Sequence, residues 1–269
     1  NPRMRVLLID GSPRPGAKIL VSGGGRCNVT NVTVRPEDFR GGSRNTIRRV
    51  LAAFTVPETI AFFAELGVTL HEEEHGKLFP DSNSARTVLT ALLDEIRRLG
   101  VHTAFGQRVT HVECTGDGFA IRTPHTTWHA AQLVLATGGL SLPKTGSDGS
   151  GYGLAQSLGH TLVPTTPALA PLLLEGDFHT PLSGIAHDVE LTIRAAGQKP
   201  VRLAGAMLWT HFGISGPVVL NVSGLWHRAR LEGLEVSVTA NLLPGDDFQR
   251  AEQWLLSAAA ARPRSSLST

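Results

Sequence analysis

Residues 18–31 read Lys-Ile-Leu-Val-Ser-Gly-Gly-Gly-Arg-Cys-Asn-Val-Thr-Asn, with three consecutive glycines at positions 23 to 25. Adjacent glycines destabilise a helix interior and favour a loop, and they let the backbone come close to a ligand. The whole chain holds 29 glycines among 269 residues, whereas an average protein has about 7%. We therefore predict that this backbone meets a ligand at a glycine-rich loop.

An apolar run lies ahead of this loop and ends at an acid. Residues 4–9 are mostly apolar, and Asp10 follows them directly before the turn-forming residues 11–16. A buried strand with an acid at its carboxyl end is typical of nucleotide-binding sheets. The alternative is that Asp10 only begins the turn. A second apolar strand is predicted at residues 132–136, and it also ends in a glycine turn.

Helical patterns and a change in composition predict two domains. Amphipathic helices are predicted at about residues 57–66 and 85–99, and Thr55 and Glu58 have the spacing of a capping box before the first. From Pro164 onward prolines interrupt the chain. Strands are predicted there near residues 188–194, 200–204 and 234–241, with a last helix at about 247–261. We therefore predict an α/β domain over residues 1–163 and a β-rich domain over residues 164–269.

Glycine motifs for phosphate binding are incomplete throughout the chain. Residues 11–18 have the spacing of a P-loop start, but Ala17 stands where the lysine belongs. The glycines at 23–25 fit only the first part of a dinucleotide fingerprint, which fails at Asn28. In dinucleotide folds the acid follows this fingerprint by about 20 residues. Asp10 therefore leads us to expect that the chain begins inside such a fold.

The overall composition favours a small-molecule protein. Hydrophobic residues make up 41% and charged residues 18%, with a formal net charge of +2. This balance argues against nucleic acid or an anionic membrane as the partner. Two cysteines, Cys27 and Cys114, form neither a disulfide framework nor a zinc site. No apolar run reaches the length of a membrane span, so we expect a cytoplasmic protein in a reducing compartment.

Two histidines beside three glutamates raise a metal site as an alternative. His71 and His75 flank residues 72–74, all glutamates. In an extended ribbon these side chains alternate between two faces, so we favour an exposed acidic ribbon and predict no metal site.

The glycine stretch at residues 18–31 resembles the signature of the HI0933-like bacterial flavoproteins, relatives of aminoacetone oxidase and the bile-acid flavoprotein reductases. Three further stretches are similar in the same order. They are Gly-Lys-Leu-Phe-Pro at residues 76–80, Ala-Thr-Gly-Gly-Leu-Ser-Leu-Pro at 136–143, and Leu-Trp-Thr-His-Phe-Gly-Ile-Ser-Gly-Pro at 208–217. The resemblance covers about residues 4–240.

This resemblance implies a partial Rossmann-like FAD-binding domain of the two-dinucleotide type with an inserted β-rich domain. The acid after the second strand would bind the adenosine ribose, the glycine loop would lie along the pyrophosphate and flavin, and an arginine would supply positive charge. The cofactor-binding residues that it implies are Asp10, Lys18, Ser22, Gly23, Gly24, Gly25, Arg26, Cys27, Asn28, Val109, Ala136, Thr137, Gly138 and Gly139.

The implied function is an FAD-dependent oxidoreductase, with NAD(P)H as a candidate electron donor and an unidentified small substrate. No catalytic residue or oligomeric state is assigned. Thr210 and His211 either act near the flavin or only shape a turn, and Cys27 is either a redox thiol or, as we favour, a structural one. The family's opening fingerprint and its closing Gly-Gly segment are not found. The alternative is therefore a non-catalytic, truncated fragment that binds FAD weakly or not at all.

Overall fold

A computed structural model describes residues 4–39 and 41–263. The chain divides into two compact units, Asn1–Val163 and Pro164–Thr269. Each has a hydrophobic core of its own.

The first unit contains five α-helices and eight strands within the described residues. The helices are α1 (Ala17–Val21), α2 (Arg44–Ala53), α3 (Val56–Glu65), α4 (Ala85–Arg98) and α5 (Ser150–Ser157). The strands are β1 (Leu7–Asp10), β2 (Thr30–Asn31), β3 (Leu70–Glu73), β4 (Lys77–Pro80), β5 (His102–Phe105), β6 (His111–Thr115), β7 (Gly118–Arg122) and β8 (Thr127–Ala130).

A parallel pair of strands carries the predicted acid. Strand β1 pairs with β5 in parallel, from Leu7 opposite His102 to Asp10 opposite Phe105. Parallel neighbours need a crossover connection, and the chain between them includes α4. Helix α1 packs against α4. Asp10 therefore lies at the carboxyl end of a parallel strand, where α/β sheets bind their ligands.

Two small antiparallel sheets complete the first unit. Strands β2, β4 and β3 form one in that spatial order, and β6, β7 and β8 form a meander. Helix α3 begins as predicted, because Thr55 accepts from the Glu58 backbone while the Glu58 carboxylate accepts from the Thr55 N–H at 2.7 Å.

The strand predicted at residues 132–136 is not present as a strand. This segment forms no ladder with any described residue, and Val134 is 84% exposed. A strand exists only where a neighbouring backbone accepts and donates its hydrogen bonds, and apolar composition cannot supply that neighbour. The prediction was wrong for this reason.

The second unit is an antiparallel sheet covered by one helix. Its strands lie in the order β13, β10, β11, β12, β9. They are β9 (Leu172–Leu173), β10 (Ala186–Ala195), β11 (Val201–Thr210), β12 (Gly213–Ser215) and β13 (Val236–Asn241), and the helices are α6 (Pro217–Leu231) and α7 (Phe248–Ala261). Val189, Leu191 and Met207 from the sheet pack with Val219 and Val222 from α6.

Helix α6 was not predicted from the sequence. Its first turn places Pro217 at the start, where proline is tolerated because its missing N–H has no intrahelical partner. Within residues 4–39 and 41–263, no helix has both the length and the apolar character needed to cross a membrane.

Candidate functional site

Asp10 closes the turn that follows β1. Its carboxylate oxygen Oδ1 accepts from the Ser12 N–H at 2.8 Å, and its carbonyl accepts from the Gln107 N–H at 2.9 Å. Within the described residues the second carboxylate oxygen, Oδ2, has no hydrogen-bond partner. The turn role is therefore present in the structure, and one oxygen is left for a ligand hydroxyl.

The glycine loop follows α1 as a tight left-handed turn. Gly23, Gly24 and Gly25 have φ angles of 56°, 70° and 88°, which glycine adopts without steric cost. The Arg26 N–H donates to the Gly23 carbonyl at 3.4 Å, and the Cys27 N–H donates to the Ser22 carbonyl at 2.9 Å. These two backbone donors serve the loop itself.

The outer surface of the loop is open. A Cβ atom at Gly24 would meet no atom within 4 Å, and one at Gly25 would meet only the Leu20 carbonyl at 3.7 Å. A Cβ atom at Gly23 would instead lie 2.7 Å from the Phe79 ring. Gly23 is thus required for packing, whereas Gly24 and Gly25 present bare backbone on which a flat ligand group can lie.

A lysine on α1 connects the helix before this loop to the segment after the second glycine turn. The Lys18 ammonium donates to the Ser141 carbonyl at 2.8 Å and to the Ser141 hydroxyl at 3.2 Å. The bond connects residues 123 positions apart in sequence. It connects helix α1, directly before the glycine loop, to Ser141, two residues after Gly139.

The second turn is shaped by close packing of glycines. The Gly139 carbonyl accepts from the Gly149 N–H at 3.0 Å. A Cβ atom at Gly139 would lie 2.8 Å from the Tyr152 hydroxyl, and one at Gly151 would overlap the Thr137 hydroxyl. These contacts hold the turn against the first residues of α5.

Arg26 is paired with a carboxylate and lies against an aromatic ring. Its guanidinium Nη1 donates to the Glu73 carboxylate at 2.5 Å, and its Cζ lies 4.2 Å from the centroid of the Phe79 ring. The hydrogen bond from Arg26 is the main cause that lowers the pKa of Glu73, and His71 adds to it. The sequence predicted the arginine but not this pair.

Val109 lies in the segment between β5 and β6. It precedes β6 and borders a cavity of about 350 Å³ whose walls come from residues 108–111 and from α5. Beside the cavity Arg108 donates to Asp148 at 2.6 Å. That hydrogen bond, followed by one from Ser150, lowers the pKa of Asp148 to about 2.

The remaining predicted residues occupy varied positions. Asn28 and the segment Ala136 to Gly138 are exposed, and Ser22 is half-buried. Cys27 is buried and free, and burial raises the pKa of its thiol. Thr210 and His211 belong to the second unit. In the part of the chain that the structure describes, no three His, Cys, Asp or Glu side chains gather as a metal site.

Sequence reasoning missed three side chains beside the loops. Glu73 and Phe79 hold Arg26, and Tyr152 packs on Gly139. Two weak signals were available: Tyr152 is the only tyrosine in the chain, and Phe79 belongs to one of the stretches similar to the flavoprotein family. The sequence predicts Glu73 only as one of three exposed glutamates, and its pairing with Arg26 in the folded structure is what distinguishes it.

The comparison with protein families identifies the class of this fold. Residues 1–227 match the model described as the HI0933-like protein Rossmann domain. The chain belongs to this family. The predicted family and the α/β, Rossmann-like fold class are thereby confirmed.

Several curated proteins are similar to the chain over most of its length. The 3-dehydro-bile acid delta(4,6)-reductase of Clostridium scindens is 35% identical over 240 residues, which is 89% of this chain and 58% of that protein. The ribosomal RNA dihydrouridine synthase of Escherichia coli is 35% identical, over 91% of this chain and 59% of that protein. The synthase of the same name from Haemophilus influenzae is 33% identical, over 92% and 62%. The chain spans about three fifths of the length of these relatives.

The residues at the two glycine turns fit a flavin nucleotide. The open surface at Gly24 and Gly25 would be filled by any Cβ atom, as expected where backbone meets a flat ring or a phosphate. Lys18 lies beside the second turn as a cation suited to a phosphate. The second oxygen of Asp10 is available to a ribose hydroxyl.

Proposed function

We propose that this protein is a flavin-dependent oxidoreductase that binds FAD and reduces a carbon–carbon double bond of its substrate. The observation that carries the proposal is the Lys18–Ser141 hydrogen bond at 2.8 Å, which connects α1, the helix directly before the glycine loop, to the residues just after the second glycine turn. Family membership and the activities in the relatives' names support it.

The residues of this chain would bind and orient the cofactor. Asp10 would accept hydrogen bonds from the adenosine ribose through Oδ2 while Oδ1 keeps the turn closed. Gly24 and Gly25 would allow close approach of the ligand, and Lys18 would place a positive charge near the pyrophosphate. When bound, a reduced flavin supplies a hydride, and uptake of a proton by the substrate completes saturation of the double bond.

The substrate class follows from chemistry that two differently named activities share. A delta(4,6)-reductase of a 3-dehydro bile acid acts on double bonds conjugated with a ketone. Dihydrouridine is uridine with one ring double bond saturated. In both cases a carbonyl withdraws electrons from the double bond. We therefore propose an alkene activated by a carbonyl as the group that this protein reduces, carried on a small molecule, with NAD(P)H as the electron donor.

An RNA substrate is the second candidate. Two relatives, at 35% and 33% identity, are named as ribosomal RNA dihydrouridine synthases. The formal net charge of +2 supports the small molecule, since RNA-binding surfaces are usually strongly basic.

A titration with FAD tests the cofactor. Binding is followed by quenching of flavin fluorescence, with ADP as a competitor for the nucleotide half of the site. We expect saturable binding that ADP weakens. A chain that neither binds FAD nor is thermally stabilised by it would contradict the proposal.

Binding measured over a series of salt concentrations distinguishes a small-molecule substrate from an RNA substrate. RNA binding should weaken steeply between about 50 and 200 mM salt because counterions are released from the phosphates. We expect no specific RNA binding, and NAD(P)H oxidation that depends on an enone substrate. Tight, salt-sensitive RNA binding with formation of dihydrouridine would favour the second candidate.

A further inference from the structure

We infer that Glu73 is a positioning residue that holds Arg26 in a fixed orientation beside the glycine loop. This inference rests on the proposed flavin site. Glu73 is contributed by β3 and Arg26 by the residues directly after Gly25, so the pair connects a sheet to the loop. The two residues are 47 positions apart in sequence, so only the folded structure brings them into contact.

The sheet holds the loop at several independent points. The Val29 N–H donates to the Leu78 carbonyl at 2.9 Å, immediately after the loop. Gly23 packs so closely on Phe79 that a Cβ atom would lie 2.7 Å from the ring. The antiparallel pair β3–β4, with Glu73 opposite Lys77, is therefore the support on which the loop rests.

Two contacts restrain the Arg26 guanidinium. Its Nη1 donates to Glu73 at 2.5 Å, and its plane lies over the Phe79 ring with Cζ at 4.2 Å from the centroid. An arginine presents five donors in a rigid fork, so fixing one edge leaves the other edge in a defined direction. The side chain of Arg26 is 42% exposed, so part of it remains accessible.

A histidine also contacts the Glu73 carboxylate. The His71 Nε2 lies 3.4 Å from the same Oε1 atom of Glu73, and its Nδ1 lies 3.2 Å from Asp81. The His71 ring also lies near Phe79, with centroids 6.5 Å apart. Asp81, His71, Glu73 and Arg26 thus form a continuous series of polar contacts that ends at the glycine loop.

Glu73 could position Arg26 or only neutralise its charge, and these two roles predict opposite changes in FAD affinity when Glu73 is removed. If Glu73 only cancels the charge of Arg26, its removal strengthens the attraction for anionic FAD. If it positions Arg26, its removal frees a flexible side chain that must be ordered again on binding. Ordering one such side chain corresponds to about a two- to tenfold loss of affinity.

The test compares variants in FAD titrations of the full chain. We expect Glu73→Ala to raise the Kd for FAD about two- to tenfold, and Glu73→Gln, which keeps the acceptor oxygen, to lose less. In an Arg26→Gln background, Glu73→Ala should have no further effect, because its action passes through Arg26. The control is Glu95→Ala, which breaks a similar pair with Arg98 at 2.6 Å on α4, and it should leave the Kd unchanged.

The bound-flavin absorption spectrum and its reduction potential provide readouts besides activity. Both should shift in Glu73→Ala and return toward those of the unaltered chain in Glu73→Gln. Tighter FAD binding in Glu73→Ala, an equal effect in the Arg26→Gln background, or an equal effect of Glu95→Ala would each overturn the inference. Failure of the unaltered chain to bind FAD would instead defeat the proposed function, and the inference with it.

Discussion

At Gly24 the backbone is left-handed and the space outside it is empty. Its φ angle is 70°, and an added Cβ atom would meet nothing within 4 Å. Gly24→Val should therefore cost stability through backbone strain of about 1–2 kcal/mol. It should also abolish FAD binding, because the branched side chain fills the open surface. Thermal unfolding and an FAD titration measure the two effects.

Gly67 supplies the matched control. It has a φ angle of 75° after α3 and likewise no neighbour within 4 Å of an added Cβ atom. Gly67→Val should lose similar stability and keep FAD binding. Retained binding in Gly24→Val would remove the loop from the cofactor site.

The two oxygens of Asp10 allow its turn role and its ligand role to be separated. Asp10→Ala removes both oxygens. We expect the variant to lose the charge-assisted hydrogen bonds to FAD, which are worth on the order of 1.5–3 kcal/mol, so that the Kd for FAD rises roughly 10- to 150-fold. Asp10→Asn keeps an acceptor for the Ser12 N–H and removes the charge. FAD titrations of Asp10→Asn that match the unaltered chain would leave Asp10 as a turn residue only.

Among the elements, the start of α5 depends on one carboxylate. Asp148 accepts from the Ser150 N–H at 3.1 Å and from Arg108 at 2.6 Å. Together they tie the helix to the segment before β6, beside the cavity of about 350 Å³. This connection makes α5 sensitive to the ionisation of Asp148.

We predict a pH-dependent effect of Asp148→Asn. The pKa of Asp148 is lowered from 3.8 to about 2 in the folded protein, so its ionised form stabilises the fold above pH 3.8. That contribution is lost as the pH falls toward 2. The variant should melt below the unaltered chain at neutral pH, and the difference should shrink between pH 4 and 2. A difference in melting temperature that stays constant over this range would contradict the assignment.

For the whole molecule, the contacts available to FAD are few. The described residues offer one acid, one lysine, one glycine loop and one glycine turn. We therefore expect weak binding, with flavin lost on desalting. Stabilisation by FAD should follow the ratio of ligand concentration to Kd, roughly 1.4 kcal/mol at a tenfold excess over Kd.

A thermal-shift series with increasing FAD measures this effect. Asp10→Ala is the internal control and should require more FAD for the same shift. Stoichiometric flavin that survives desalting would show that these contacts suffice for tight binding.

The features that the sequence predicted correctly depend on neighbours within a few positions. The capping box of Thr55 and Glu58, the loop at the glycines 23–25 and the acid at the end of β1 are all set by local sterics and hydrogen bonding. The helices predicted at 57–66 and 85–99 agree with α3 and α4 to within one residue at every end. Local backbone preferences therefore determine these helices and turns.

Contacts between distant residues were decided only by the tertiary structure. The Lys18–Ser141 bond spans 123 positions and the Arg26–Glu73 pair spans 47. The segment at 132–136 is apolar enough for a strand but has no pairing backbone among the described residues, and α6 forms where its valines meet the sheet. The sequence determined the local turns and helix starts and predicted which residues would bind a nucleotide, whereas packing across space decided which of them lie together. The reason is that hydrogen bonds and burial need partners that local order does not specify.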